Sequence, residues 1–443
     1  MLSKCIQKWL MSILLMGVFF NAHAVLYVEI AGGKAQGIPI AIVPFGGEGG
    51  PASEGELITQ VVKADLENSG QFKATPFAEL GQLPSHPSAV QTPHWKSLGV
   101  EDLVIGRIKK EGSHYSVQFE VLDVMRPQAQ NAAPKTLLSM QFERVKPEEF
   151  RALAHHISDL IFEKLIGIKG IFSTRIAYVS VIPGGKSDLR TLEVADSDGF
   201  NPKALYRSSF PLMSPAWSPD GKKIAFVSFE NERASIKVVD VITGQVTPVT
   251  QYPGINGAPT WAPDSRSLAI VLSKDGSPKI YTFDLASKQL NRLTEGSGID
   301  TEPSFAPDGR SIVFTSNRGG KPQIYRVGLS GGKPERLTFK GDYNAKPSLT
   351  PDGKRLVMLH RGDNGLFSIA VQSLASGELR QLTQASLSDS PSLAPNGMMV
   401  LYGSQEGGRG VLGAVSLDGR IKIRLPSRDG NVQEPAWAPF ARN

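Results

Sequence analysis

The sequence predicts a two-domain chain, an N-terminal α/β domain with a mixed sheet and helices followed by a six-bladed β-propeller. Three observations carry that prediction. The phrase EPSFAPDGRSIVFTSNRGG, residues 302 to 320, is an apolar strand, a tight PDG turn and a second apolar strand, and it recurs along the chain. Its opening prolines, Pro215, Pro259, Pro303, Pro347, Pro391 and Pro435, are each 44 residues apart. Each period holds four short strands, the signature of a propeller blade, whereas the stretch before Gly170 has no such echo.

The first 24 residues read as a signal peptide. Lys4 and Lys8 form a basic lead, WLMSILLMGVFF is an apolar run too short to span a bilayer comfortably, and Ala22-His23-Ala24 fits the small-x-small cleavage rule. Cleavage makes Val25 the first mature residue and removes Cys5, the only cysteine. The exported chain then has no disulfide, and at about 420 residues it is long enough to bury its own cores. Its net charge falls from +6 to +4, with no basic tract interleaved with aromatics, so nucleic-acid binding is not implied. No second run is long enough to cross a membrane as a helix, and a soluble exported product is expected.

The N-terminal domain is read over residues 25–168, with 25–37 as a flexible lead. PIAIVPF is a strand-length apolar run ended by GGEGGPA. Ser53-x-x-Glu56 is a capping box opening a helix in which Leu57, Val61, Ala64 and Leu66 share a face. PFAELGQLPSHPSAVQTP reads as irregular. VEDLVIGRIKK, HYSVQFEVLDV and TLLSMQFERV read as strands, and Pro147 opens a last helix with Glu148 and Glu149 at the positive end of its dipole.

The propeller is read over residues 171–443. Its third copy divides into innermost strand PSFA, PDG turn, RSIVFTS, NRGGKP, QIYRVGL, SGG and PERLT. Two residues after each opening proline stands Trp217, Trp261, Phe305, Leu349, Leu393 or Trp437, placed to wedge between blades. Asp220, Asp264, Asp308, Asp352 and Asn396 then suit a turn in which a short polar side chain bonds its own backbone. The last copy stops after its innermost strand, while TRIAYVS, RTLEVAD and PKALYRS lack one. Joining them closes six blades and removes the open edges.

The connectors between blades end at the mouth of the central funnel. Their last residues, Asn256-Gly257-Ala258, Asp300-Thr301-Glu302, Lys346, Asp389 and Glu434, form a polar and mostly acidic ring, read either as solvated loops or as a partner or ligand surface. No metal ligand set is expected: His155 and His156 point about 100° apart on one helix, and His360 reads as a structural strand histidine. Gly47-x-Gly49-x-x-Ala52 fits a dinucleotide loop poorly, because Glu48 would face the pyrophosphate. There is no P-loop, H-E-x-x-H or G-x-S-x-G, and no catalytic residue or cofactor is assigned. Rival readings are a metal-dependent hydrolase or peptidase gate, and a carbohydrate binder.

The whole mature chain resembles the TolB family of the Tol-Pal envelope system. PIAIVPF, ADLENSGQF, SPAWSPDGKKIAFVSFE, NGAPTWAPD, LASKQLNRLTEG, DTEPSFAPD, SPSLAPNGMMVLY and the terminal PAWAP carry the resemblance in order. It implies a monomeric, non-catalytic periplasmic scaffold that supports outer-membrane integrity and constriction during division. Pal, a peptidoglycan-associated lipoprotein, would bind at the funnel, with Ala258 and Thr301 at the matching positions, and other outer-membrane lipoproteins are further partners the resemblance allows. Asn256, Gly257, Asp300, Glu302, Lys346, Asp389 and Glu434 lie in the same ring. TolA would engage the mature N-terminal segment, Val25, Leu26, Tyr27, Val28, Glu29 and Ile30, whose alternation suits adding a strand to a partner's edge. Ile255 stands where the family pattern has a histidine, and GGKAQG where an acidic run is expected.

Overall fold

The structure is a computed structural model of the chain and describes residues 27–30, 37–47, 50–51, 53–126, 134–362, 365–384, 388–426 and 430–441. The expected signal peptide, Val25 and Leu26 lie outside the described residues.

In the N-terminal domain the strand Ile38–Ile42 runs parallel to Phe72–Ala74 on one side and Asp102–Glu111 on the other. His114–Asp123 and Lys135–Val145 continue the sheet antiparallel. Helices α1 (Ser53–Asn68) and α3 (Phe150–Ile166) cover one face, where Ile40 and Ile42 pack with Ile58, Val62, Leu66, Ile157 and Ile161. Ala41 and Val43 point to the opposite face and meet Leu80, Trp95 and Leu103. Burial on both faces explains why PIAIVPF is apolar without alternation. The stretch expected to be irregular contains α2, Thr92–Ser97, with Pro93 in its first turn. Its cause is Trp95, fully buried, which anchors one short helical turn against the sheet. Where a dinucleotide loop would leave the strand, Gly46–Gly47 pairs antiparallel with Gly50–Pro51, Gly47 opposite Gly50; Gly49 and Ala52 of that pattern lie outside the described residues.

Six four-stranded antiparallel units form the propeller. Blades two to five are Leu212–Trp217 to Val246–Thr250, Asn256–Trp261 to Leu290–Arg292, Asp300–Phe305 to Gly331–Arg336, and Tyr343–Leu349 to Leu379–Gln381. Blade six runs from Asp389–Leu393 to Ile421–Arg424. Blade one joins the two ends of the propeller: Arg175–Ile182, Leu189–Asp196 and Lys203–Ser208 receive Asn431–Trp437 as innermost strand, with Trp437 opposite Ile176.

The wedge position works through both packing and a hydrogen bond. The Trp261 indole Nε1 donates to the Ala216 carbonyl of the preceding blade at 3.0 Å, and Trp217 Nε1 donates to Ala436 O at 3.1 Å across the closure. The turn aspartates do what a corner needs: Asp220, Asp264, Asp308, Asp352 and Asn396 each accept, through Oδ1, from the backbone N–H two residues on.

Tyr27–Ile30 departs from the flexible lead expected over 25–37. It forms a fifth, antiparallel strand on blade six, with Tyr27 opposite Arg424 and Ile30 opposite Ile421. An outer strand leaves a row of unpaired backbone groups, and the alternating segment satisfies it within the same chain. The end of α1 meets the same strand: a Cβ on Gly70, whose φ is +69°, would lie 2.2 Å from Ile421 Cγ1. Glycine is required there both by conformation and by the close approach of the two domains.

Two outcomes test the closure. Removing residues 431–443 should abolish cooperative thermal unfolding of the propeller by calorimetry; an unchanged melting temperature would contradict the clasp. Trp261→Ala should cost about 3–5 kcal/mol in denaturant unfolding, and Trp261→Phe, which loses chiefly the indole hydrogen bond, about 1 kcal/mol.

Candidate functional site: the propeller mouth

Each innermost strand breaks its ladder at one place. The register shifts between Met213 and Ala216, Gly257 and Thr260, Thr301 and Ser304, Ala345 and Ser348, Asp389 and Ser392, and Gln433 and Ala436. The residue before each opening proline sits in this bulge with positive φ: Ser214 +51°, Ala258 +42°, Glu302 +51°, Lys346 +50°, Ser390 +51° and Glu434 +53°. A left-handed non-glycine residue costs about 1–2 kcal/mol. Six at equivalent positions show that the fold imposes this ring, which lines a cavity of about 270 Å³.

The bulge frees amides to donate into the mouth, and carboxylates of the preceding blade accept from two of them. Glu434 Oε2 accepts from Ser214 N at 3.0 Å, and Glu302 Oε2 accepts from Lys346 N at 2.9 Å and from Thr315 Oγ1 at 2.8 Å. Lys346 Nζ then donates to Asp389 Oδ1 at 2.9 Å and Ser390 Oγ at 2.7 Å. Burial works to lower the Lys346 pKa, but Glu434, Asp389 and Glu302 outweigh it and hold the ammonium above its usual value.

The opposite arc lacks such a clamp. Ser214 and Ala258 are too short to do for the following blade what Glu302 does, and among the described residues no side chain accepts from the Ala258 or Glu302 amide. Ile255 and Ile299, at the heads of the same strands, are 48% and 46% exposed. The mouth therefore has one charged arc, in which the Ser214, Lys346 and Ser390 amides donate to carboxylates, and one uncharged arc beside the exposed Ile255 and Ile299, in which no described side chain accepts from the Ala258 or Glu302 amide.

Two residues of the expected ring face elsewhere. Asn256 and Asp300 are fully buried. Asn256 closes its own connector, its Nδ2 donating to Tyr252 O at 2.6 Å and its Oδ1 accepting from Tyr252 N at 2.9 Å. Asp300 accepts from Ser316 Oγ at 2.6 Å and from Arg318 Nη2 at 2.8 Å, with Lys279 Nζ 3.5 Å away. Lying two residues before the bulge, both side chains point into the blade. Gly257, Ala258, Thr301, Glu302, Lys346, Asp389 and Glu434 do gather at or beside the mouth, half-buried or exposed. The sequence reading missed Arg318 and Lys279, which hold Asp300 from another strand and loop. His360 is a core residue, its Nδ1 2.8 Å from Asn344 Oδ1.

Residues 26–130 match the family described as the TolB amino-terminal domain, and residues 162–441 match the TolB beta propeller domain. The chain belongs to the TolB family. It is 59% identical to the Tol-Pal system protein TolB of Coxiella burnetii, covering 95% of both chains, and 56% identical to that of Legionella pneumophila strain Corby, covering 96% of this chain and 97% of that one. The crystal structure of TolB from Acinetobacter baumannii superposes with a TM-score of 0.83 at 40% identity, covering 94% of this chain and all of that one. As a TolB family member the chain is a Tol-Pal system component. Among the described residues, no helix is long and apolar enough to cross a membrane.

The carboxylate clamp is directly testable. Glu302→Gln keeps the shape but removes the charge that accepts from Lys346 N and Thr315, and should cost about 1–3 kcal/mol in urea unfolding. An unchanged midpoint would mean that this carboxylate does not hold the ring.

Proposed function

We propose that the chain is an exported, periplasmic scaffold that binds Pal through the propeller mouth and TolA through its N-terminal segment, supporting outer-membrane integrity and constriction during division. The observation that carries the Pal reading is the asymmetric mouth. A partner loop can bury Ile255 and Ile299 and offer acceptors to the Ala258 and Glu302 amides, from which no described side chain accepts, while the Lys346–Asp389–Glu434 arc sets charge complementarity at the rim. Gly257 and Thr301 contribute mainly backbone and shape, so bulk at Ala258 or Thr301 obstructs a partner without removing a charge. The TolA reading rests on Tyr27–Ile30 being, among the described residues, the outermost strand of its sheet, whose outer edge can accept a partner strand. Val25 and Leu26 are assigned to the same segment by sequence.

Titration with purified Pal tests the first half. Ala258→Trp and Thr301→Arg should each weaken binding at least tenfold, about 1.4 kcal/mol, while melting temperature and TolA binding stay at the wild-type level. Deleting residues 25–30 should do the reverse, abolishing TolA binding and sparing Pal. Equal Pal affinity in all three proteins would remove the mouth as the binding site.

A further inference from the structure

The two domains meet at a buried histidine. Helix α3 carries Arg151 and His155 one turn apart, and His155 is 2% exposed. Its Nδ1 lies 2.8 Å from Asp65 Oδ2 on α1. An ionised carboxylate only accepts, so Nδ1 carries the hydrogen. The other ring nitrogen, Nε2, is buried without a hydrogen-bond partner and faces Asp198 Oδ2 of blade one at 3.7 Å. One imidazole thus spans from the N-terminal domain to the propeller.

The surrounding charges are unbalanced. Asp65 comes from α1, and Asp159 from α3, where it accepts from the Phe172 and Ser173 amides at 2.8 and 3.1 Å. Asp196 and Asp198 come from the propeller. Arg151 donates from Nε to Asp196 at 3.2 Å, pairs with Asp198 through Nη2, and stacks its guanidinium 4.3 Å from the Phe200 ring. Asp65 is buried and Asp159, Asp196 and Asp198 are half-buried, against the Arg151 guanidinium and the charge of Arg175 near Asp196, and this excess of negative charge favours a further cation. Asp65, His155 and Asp198 lie close enough to suggest a metal. The arrangement argues against one: Asp65 sits on the opposite ring nitrogen from Asp198, and the Asp198 oxygen facing Nε2 is already paired with Arg151. A proton on Nε2 needs no further ligand.

We infer that protonation of His155 locks the N-terminal domain to the propeller. The neutral ring turns a lone pair toward Asp198, which repels it. The imidazolium donates from both nitrogens and completes an Asp65–His155–Asp198 bridge across the junction. Burial works to lower the His155 pKa, but the Asp65 and Asp198 carboxylates outweigh burial and Arg151 and hold it above its ordinary 6.5. A histidine raised in the folded molecule contributes its full stabilisation below the unfolded pKa and loses it as pH rises through the raised value. The lock is therefore closed in mild acid and released in alkali. Burial also raises the Asp198 and Asp159 carboxyls, so strong acid removes the acceptors.

Amide hydrogen exchange on the full chain reads the lock locally at Gly199, whose N–H donates to Asp196 O, and at Phe200, whose N–H donates to Asp198 Oδ1. After correction for intrinsic rates, protection at these amides should fall at least tenfold between pH 6 and pH 9 in the wild type. It should stay flat in His155→Gln, an arm that also cancels other groups such as Asp102, whose carboxyl burial raises to about 6. Asp198→Asn retains the histidine and should move the midpoint of the His155 ring-carbon NMR titration to lower pH. Wild-type protection that does not change with pH, a change equally large in His155→Gln, or an unmoved midpoint in Asp198→Asn would each overturn the lock.

Discussion

The structure depends on one ladder, the pairing of Asn431–Trp437 with Arg175–Ile182. These strands lie about 250 residues apart, and closing a loop of that length costs on the order of 5 kcal/mol in chain entropy. The ladder offsets this with backbone bonds, burial of Val432 and Ala436, and two indole hydrogen bonds at the seam. Trp217 donates to Ala436 O, and Trp437 donates to Thr174 Oγ1 at 2.8 Å. Without the ladder, blades one and six would each present an open face, and the ring of bulged residues would have no fixed circumference.

The ring of bulges is what closure builds at the mouth. Left-handed backbone at six pre-proline positions is tolerated because each blade is held on both sides, and the strain exposes amides that a regular strand would use internally. The chain supplies its own side-chain acceptors for three of them, through Glu434, Glu302 and Asp389. In the neighbouring arc, with Ser214 and Ala258 in the same positions, no described side chain accepts from the Ala258 or Glu302 amide, and on the proposed function these are the donors offered to a partner. On the proposed function, specificity on this scaffold comes from which side chain occupies one repeated position.

Much of this was legible in the sequence because repetition amplifies weak local signals. A constant spacing of prolines, short polar turn residues and large apolar wedge residues set the blade count, and the unpaired last strand predicted the closure. What escaped was what non-local partners decide. Asp300 and Asn256 looked like mouth residues from their place in the repeat, but a bulge two positions later turns them inward, toward Arg318 and Lys279 in one case and their own connector in the other. His155 was read only against its neighbour His156; its partners Asp65 and Asp198 lie 90 residues before and 43 residues after it, in elements that only tertiary folding brings together. The lead over 25–37 carried strand alternation without any local sign of which edge it would pair with. Trp95 ordered a stretch whose prolines suggested irregular chain.

The central claim is that the closed ring presents its mouth, and not its rim or its N-terminal domain, to Pal. A hydrogen-exchange footprint of the protein with and without saturating purified Pal tests this most directly. The account predicts new protection concentrated at residues 255–258, 299–302, 345–346, 389–390 and 433–434, with the outer strands of blades two to five unchanged. Protection confined to those outer strands or to the N-terminal sheet, with the mouth exchanging as in the free protein, would contradict it.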